Sequence, residues 1–158
     1  FLLRFVALSA VLLTVHAYPY PAGGVLAGAQ ASYLEAYARL VGAVLGIVEP
    51  GLRVEGAALR GRVVFEIVHG CDAMDAILLL VSAFVALPQR LRKKLPMVAL
   101  GILGMTIANL MRIAILYGLR VSGVAGFETV HGEVMPIALV ATAVALFALA
   151  TRYMGGER

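Results

Sequence analysis

Three side chains that seldom share a mostly apolar chain stand at Cys71, Arg112 and His131, and together they could carry out acyl transfer. Cys71 is the only cysteine of the sequence, preceded by Gly70, followed by Asp72 and then by the apolar run Ala76 to Leu87. That context predicts a thiol at the first turn of a helix, where unsatisfied N–H groups and the helix dipole favour thiolate. Arg112 lies within Asn109-Leu110-Met111-Arg112-Ile113, between further apolar residues. A mid-span arginine costs about 2.5 to 3.5 kcal/mol on insertion scales, so such a residue faces the bundle interior and is functional by default. His131, in Val130-His131-Gly132-Glu133, opens another helix, whose N-terminus disfavours imidazolium and keeps a proton acceptor available near neutral pH. In the chemistry this set allows, His131 takes the thiol proton, Cys71 attacks a peptide carbonyl, and Arg112 stabilises the thiolate or the developing oxyanion. Asn109, three residues before Arg112, shares its face and would orient it or the substrate.

Each residue also has a plainer reading. A free cysteine is often a small buried hydrophobe. Arg112 could snorkel to headgroups or pair with Asp75, which lies one turn below Cys71 on the same face. His131 could be an ordinary interfacial histidine, His69 is its rival as base, and His16 reads as interfacial. Asp72, Asp75 and Glu133 are not ranked by sequence.

The elements that must position these residues follow from composition. At 158 residues, 62% hydrophobic and 14% charged, with a mean hydropathy of +0.97, the chain has more apolar side chain than a soluble domain of this size could bury. It reads as an all-α polytopic membrane protein of one domain. The formal charge of +4 is not gathered on one aromatic-studded face, which argues against nucleic acid as a partner and leaves membrane lipid. One cysteine makes no intramolecular disulfide, and no Cys/His spacing suits a metal, so no cofactor is expected.

About four transmembrane helices are expected, over 1–17, 73–87, 96–119 and 131–153, the first closed by Tyr18-Pro19-Tyr20-Pro21. Residues 32–48 carry Leu34, Tyr37, Val41, Val44 and Leu45 at three- and four-residue steps between Glu35 and Arg39, an amphipathic helix for the interface. Residues 52–68, with a Gly56 to Gly61 turn region and a β-branched run, read as a small β-hairpin. The loop Gln89-Arg90-Leu91-Arg92-Lys93-Lys94 has four basic residues and no acid, which places it in the cytoplasm and puts Cys71, Arg112 and His131 at the outer side of a cell membrane. The acids other than Glu157 fall on the outer side or its interface. The opening inside an apolar run, without an initiator Met, suggests that a further piece precedes Phe1, and a signal peptide is the weaker account of residues 1–17.

Cys71 after Gly70 opening a span that ends at Pro88, Asn109-Leu110-Met111-Arg112-Ile113, and His131 opening the last span together resemble the exosortase/archaeosortase family of membrane cysteine transpeptidases. The strand Val63 to Val68 leading into Gly70-Cys71, and the compact length, are most similar to the exosortase H branch. The resemblance covers nearly all the chain. It implies Cys71, Arg112 and His131 as the catalytic three, and exported proteins with a C-terminal sorting tail, of IPTL type in that branch, as substrates cleaved near the tail and passed to an acceptor. Where many members follow the cysteine with a small residue or Asn and then Gly, this chain has Asp72 and Ala73, a departure that bears on subfamily and sorting signal. Two other functions fit the residues: a non-enzymatic assembly or transporter subunit with a structural Arg112–Asp75 pair, and a plain membrane protease with water as acceptor.

Overall fold

The computed structural model describes residues 1–18, 24–68 and 70–154, so the expected break at Pro19 to Pro21, His69 and Glu157 lie outside the described residues. The chain is mostly helical: α1 Leu2–Ala17, α2 Val25–Leu45, a sheet of β1 Arg53–Glu55, β2 Ala58–Arg60 and β3 Val64–Glu66, then α3 Met74–Ala86, α4 Leu91–Val121, α5 Phe127–Thr129, a π-turn Val130–Val134 and α6 Met135–Met154. It divides into two compact units, Phe1–Tyr18 with Ala73–Ala108 and Pro136–Arg158, and Pro19–Asp72 with Asn109–Met135.

In the first unit, α1 packs along α3, and Leu80, Phe84, Met97, Met105 and Leu139 form the buried core. Asp75 on α3 pairs with His16 of α1 at 3.7 Å. Lys94 Nζ donates to the Val85 carbonyl at 2.5 Å, satisfying one of the acceptors that the end of α3 leaves open.

Two helical stretches, Leu91–Val121 and Phe127–Tyr153, are long and apolar enough to cross a membrane. At ~1.5 Å per residue they run roughly 46 and 40 Å, against a hydrocarbon core of ~30 Å. Their open faces are what lipid would cover. On α4, Leu100, Leu103, Ile107, Met111 and Ile115 follow three- and four-residue steps and are 49–62% exposed; water would make that stripe costly and acyl chains would not. The other two expected spans are shorter apolar helices within the described residues, α1 with 16 residues and α3 with 13, or roughly 24 and 20 Å.

The basic stretch expected as a loop differs too. Helix α4 starts at Leu91 and carries Pro96 inside it, so Arg92, Lys93 and Lys94 form its first turn. Only the bond from residue 96 to the Arg92 carbonyl is lost, next to a turn whose N–H groups have no helical partner in any case.

In the second unit, α2 begins seven residues earlier than expected, because the Ala-rich stretch before Ser32 propagates helix well. Its buried face, Tyr37, Ala38, Val41, Gly42 and Leu45, lies on the sheet. Gly42 permits the approach, since a Cβ there would run into Val54 of β1. The expected hairpin is a three-stranded antiparallel meander, with Val54 opposite Leu59 and Leu59 opposite Phe65. Leu59 and Ile67 are buried with Ile113 and Tyr117 of α4.

Glu49, just past α2, ties this unit together. Its Oε1 accepts the Arg62 backbone N–H at 2.6 Å, and its Oε2 accepts the Tyr117 hydroxyl at 2.7 Å. The Tyr117 bond first, and the Arg62 backbone bond and charge after it, hold the Glu49 carboxyl below the usual glutamate range. A carboxyl that ionises more readily folded than unfolded adds stability above its ordinary pKa, and loses it as pH falls through the lowered folded value. Glu49→Gln is therefore expected to lower Tm at neutral pH and to shrink the difference in Tm between neutral and acidic buffer, measured by thermal unfolding in detergent micelles.

Candidate active site

Cys71 is 8% exposed and lies in a turn closed by its own N–H donating to the Val68 carbonyl at 2.9 Å. Gly70 sits in that turn at φ 92°, a left-handed conformation that glycine adopts without strain. The first-turn placement expected for Cys71 is therefore corrected. Helix α3 starts at Met74 with Ala73 as N-cap, Cys71 precedes the cap by two residues, and its N–H is spent in the turn. Ala73 itself is at φ 55°, a left-handed conformation that costs a residue with a Cβ roughly 1–2 kcal/mol. This is the position at which the resembling family often has glycine. Strain of this kind is held at functional segments more often than elsewhere.

A buried hydrogen-bonded array surrounds the cysteine. Asn109, fully buried, donates from Nδ2 to the Cys71 carbonyl at 2.7 Å and to the Tyr37 hydroxyl oxygen at 2.8 Å. Its Oδ1 accepts from a terminal nitrogen of Arg112 at 3.3 Å. The amide's orientation is forced: a carbonyl only accepts and a guanidinium only donates, so the NH₂ end must face Cys71 and the oxygen Arg112. Arg112 is 7% exposed, and its Nε has no hydrogen-bond partner among the described residues. A buried donor on a charged group costs on the order of 1–3 kcal/mol or above when no acceptor meets it.

Asp72 is 1% exposed. Its charge acts on Tyr33 and Tyr37, and that of Arg112 acts on Tyr37 in the opposite sense. Burial first, with the Asp72 charge adding to it, pushes the Tyr33 phenol up to about 12. Tyr37 is raised as well, burial again leading, while its Asn109 bond and Arg112 pull the other way. Both phenols keep their protons at neutral pH.

His131 is in the same unit, half-buried. It stacks on Phe127 with ring centroids 5.6 Å apart and planes at 8°, and Arg120 lies over the Phe127 ring at 5.3 Å. It takes no part in the hydrogen bonds around Asn109. The last helical stretch starts at Phe127, four residues before the expected point, and His131 lies inside a π-turn where Met135 N–H bonds the Val130 carbonyl. Pro136 explains the widening: its ring would collide with the Gly132 carbonyl in an α-helix, and it has no N–H to offer. Single π-turns of this type are frequent at functional positions.

The structure thus gathers Cys71, Asn109 and Arg112, all in one unit. It leaves Asp75 in the other, where its partner is His16. Of the three unranked acids, Asp72 is buried, whereas Asp75 and Glu133 are exposed. Sequence reasoning missed Tyr37 and Tyr33 as site residues. They stand four apart on the buried face of α2, a signal that was visible but is shared by any packing face. Among the described residues no group of His, Cys, Asp and Glu could hold a metal. Comparison with protein-family models, with curated proteins and with solved structures finds no match, so the functional argument rests on this site and on two helices able to cross a membrane.

Proposed function

We propose that the chain is a membrane-embedded cysteine transpeptidase that cleaves exported proteins near a C-terminal sorting tail and transfers them to an acceptor. The observation that supports it is the buried array in which the Cys71 backbone and the Arg112 guanidinium share one amide, with Arg112 Nε left open. The resemblance to exosortases and archaeosortases points the same way. In this reading the chain crosses a cell membrane several times, the basic first turn of α4 marks the cytoplasmic side, and the site faces outward.

The Cys71 thiol gives its proton to His131, and the sulfur adds to the scissile carbonyl carbon. Arg112 takes charge on the oxyanion, and collapse breaks the C–N bond with the proton passing to the leaving amine. The acceptor's nucleophile then displaces the thioester and returns Cys71. The alternative of a structural Arg112–Asp75 pair loses ground because Asp75 is engaged by His16.

Co-expression with a tail-bearing exported protein, followed by intact-mass measurement of the product, tests the proposal. A product lacking the tail and carrying an added acceptor mass is expected. A free carboxylate at the new terminus would mean that water is the acceptor, and an untouched tail would overturn the reading.

A further inference from the structure

The Asn109 side chain has two N–H hydrogens, and both are spent, one on the Tyr37 hydroxyl oxygen and one on the Cys71 carbonyl. Two oxygens bonded to the same nitrogen are close neighbours, so the phenol of α2 stands beside the backbone of the cysteine. Tyr37 is 7% exposed. Because its oxygen accepts from Asn109, its own hydrogen points elsewhere, and no described residue accepts it. Arg112, held at the other end of the same amide, keeps its Nε–H unpartnered. Two buried donors without acceptors among the described residues are thus held by one amide whose two N–H groups are both spent, next to the one residue of the chain able to form a thioester. Donors fixed in advance and desolvated are what stabilises a charge that exists only in a transition state.

We propose that the Tyr37 hydroxyl donates, together with Arg112 Nε–H, to the oxyanion formed when Cys71 attacks a carbonyl, an assignment that rests on Cys71 being the nucleophile. The Cys71 sulfur adds to the carbonyl carbon and the C=O π pair moves to oxygen, where both donors meet it. Collapse restores C=O and expels the leaving group, with the acyl group now on sulfur. That Tyr37 stays protonated at working pH follows from its burial and from Asp72 nearby. The tyrosine ring also packs with Val41, Leu45 and Ile113, so the test must spare the ring.

Tyr37→Phe removes the hydroxyl alone. The full chain in detergent is reacted with two probes for the same sulfur: p-nitrophenyl acetate, whose acylation of Cys71 passes through an oxyanion, and iodoacetamide, whose displacement does not. Tyr37→Phe is expected to slow the nitrophenolate burst by about 10²-fold, as loss of one oxyanion donor does elsewhere, and to leave the iodoacetamide rate within about twofold. Equal bursts in both proteins, or equal slowing with both probes, would overturn the role of Tyr37 while leaving Cys71 as nucleophile. Absence of an acetyl group on wild-type Cys71 by mass spectrometry would overturn the nucleophile reading as well.

Discussion

Cys71→Ala is expected to abolish processing of a tail-bearing substrate while leaving the fold in place. The bond that ties residue 71 to α4 runs from Asn109 to the Cys71 carbonyl, and a main-chain acceptor survives any side-chain change. What is removed is a thiol in a packed setting, a loss of about 1 kcal/mol or less if the neighbours settle. The catalytic loss is of another order. Removing the nucleophile of a covalent acyl-transfer enzyme typically costs roughly four to six orders of magnitude in rate. Thermal unfolding in micelles, with processing in cells, separates the two effects. Undiminished processing by Cys71→Ala would end the transpeptidase reading.

The second large effect has opposite signs for stability and for activity. Arg112→Met is expected to raise Tm or leave it unchanged, and to lower the acylation rate by about 10²–10³-fold. Among the described residues the buried guanidinium has one long hydrogen bond, at 3.3 Å, and an orphaned Nε, so its desolvation is poorly compensated. Removing a poorly compensated buried charge relieves its desolvation cost. Asn109 Oδ1 would lose its donor, which costs about 1 kcal/mol and keeps the expected gain small. Arg112→Lys should keep the charge and lose the planar fork, recovering little activity. A sharp fall in Tm for Arg112→Met, with unchanged acylation, would mark Arg112 as structural.

Much of the site could be read from side-chain type alone. A single cysteine, an arginine amid apolar residues, and an asparagine one turn away were visible without coordinates, and Asn109 does contact both of the others. The misses have local causes. Asp72 is of a type favoured at helix starts, which makes Cys71 read as the opening of the span; the helix instead starts after a left-handed Ala73, a conformation not predictable from alanine. The basic stretch Gln89 to Lys94 reads as a loop from its four charges between Pro88 and the span opening at Pro96, yet proline six residues into a helix removes one bond only, and α4 runs through it. Pro136, five residues beyond His131, carries the information for the π-turn, but by composition it is one more residue of a long apolar span. Tyr37 was seen only as a member of an apolar stripe. Its partner is 72 residues away, and no periodicity within α2 can report that.

That separation governs when the site can exist. Tyr37 meets Asn109 across 72 residues and Glu49 meets Tyr117 across 68, so ordering this unit means closing long loops before the hydrogen bonds reward it. During synthesis, α2, the sheet and Cys71 emerge while Asn109 and Arg112 are still to come. The Cys71 carbonyl therefore lacks its Asn109 donor, and the array lacks Arg112, until α4 is made. The hydrogen-bonded array around residue 71 is completed only after α2, the sheet and the cysteine have all been made.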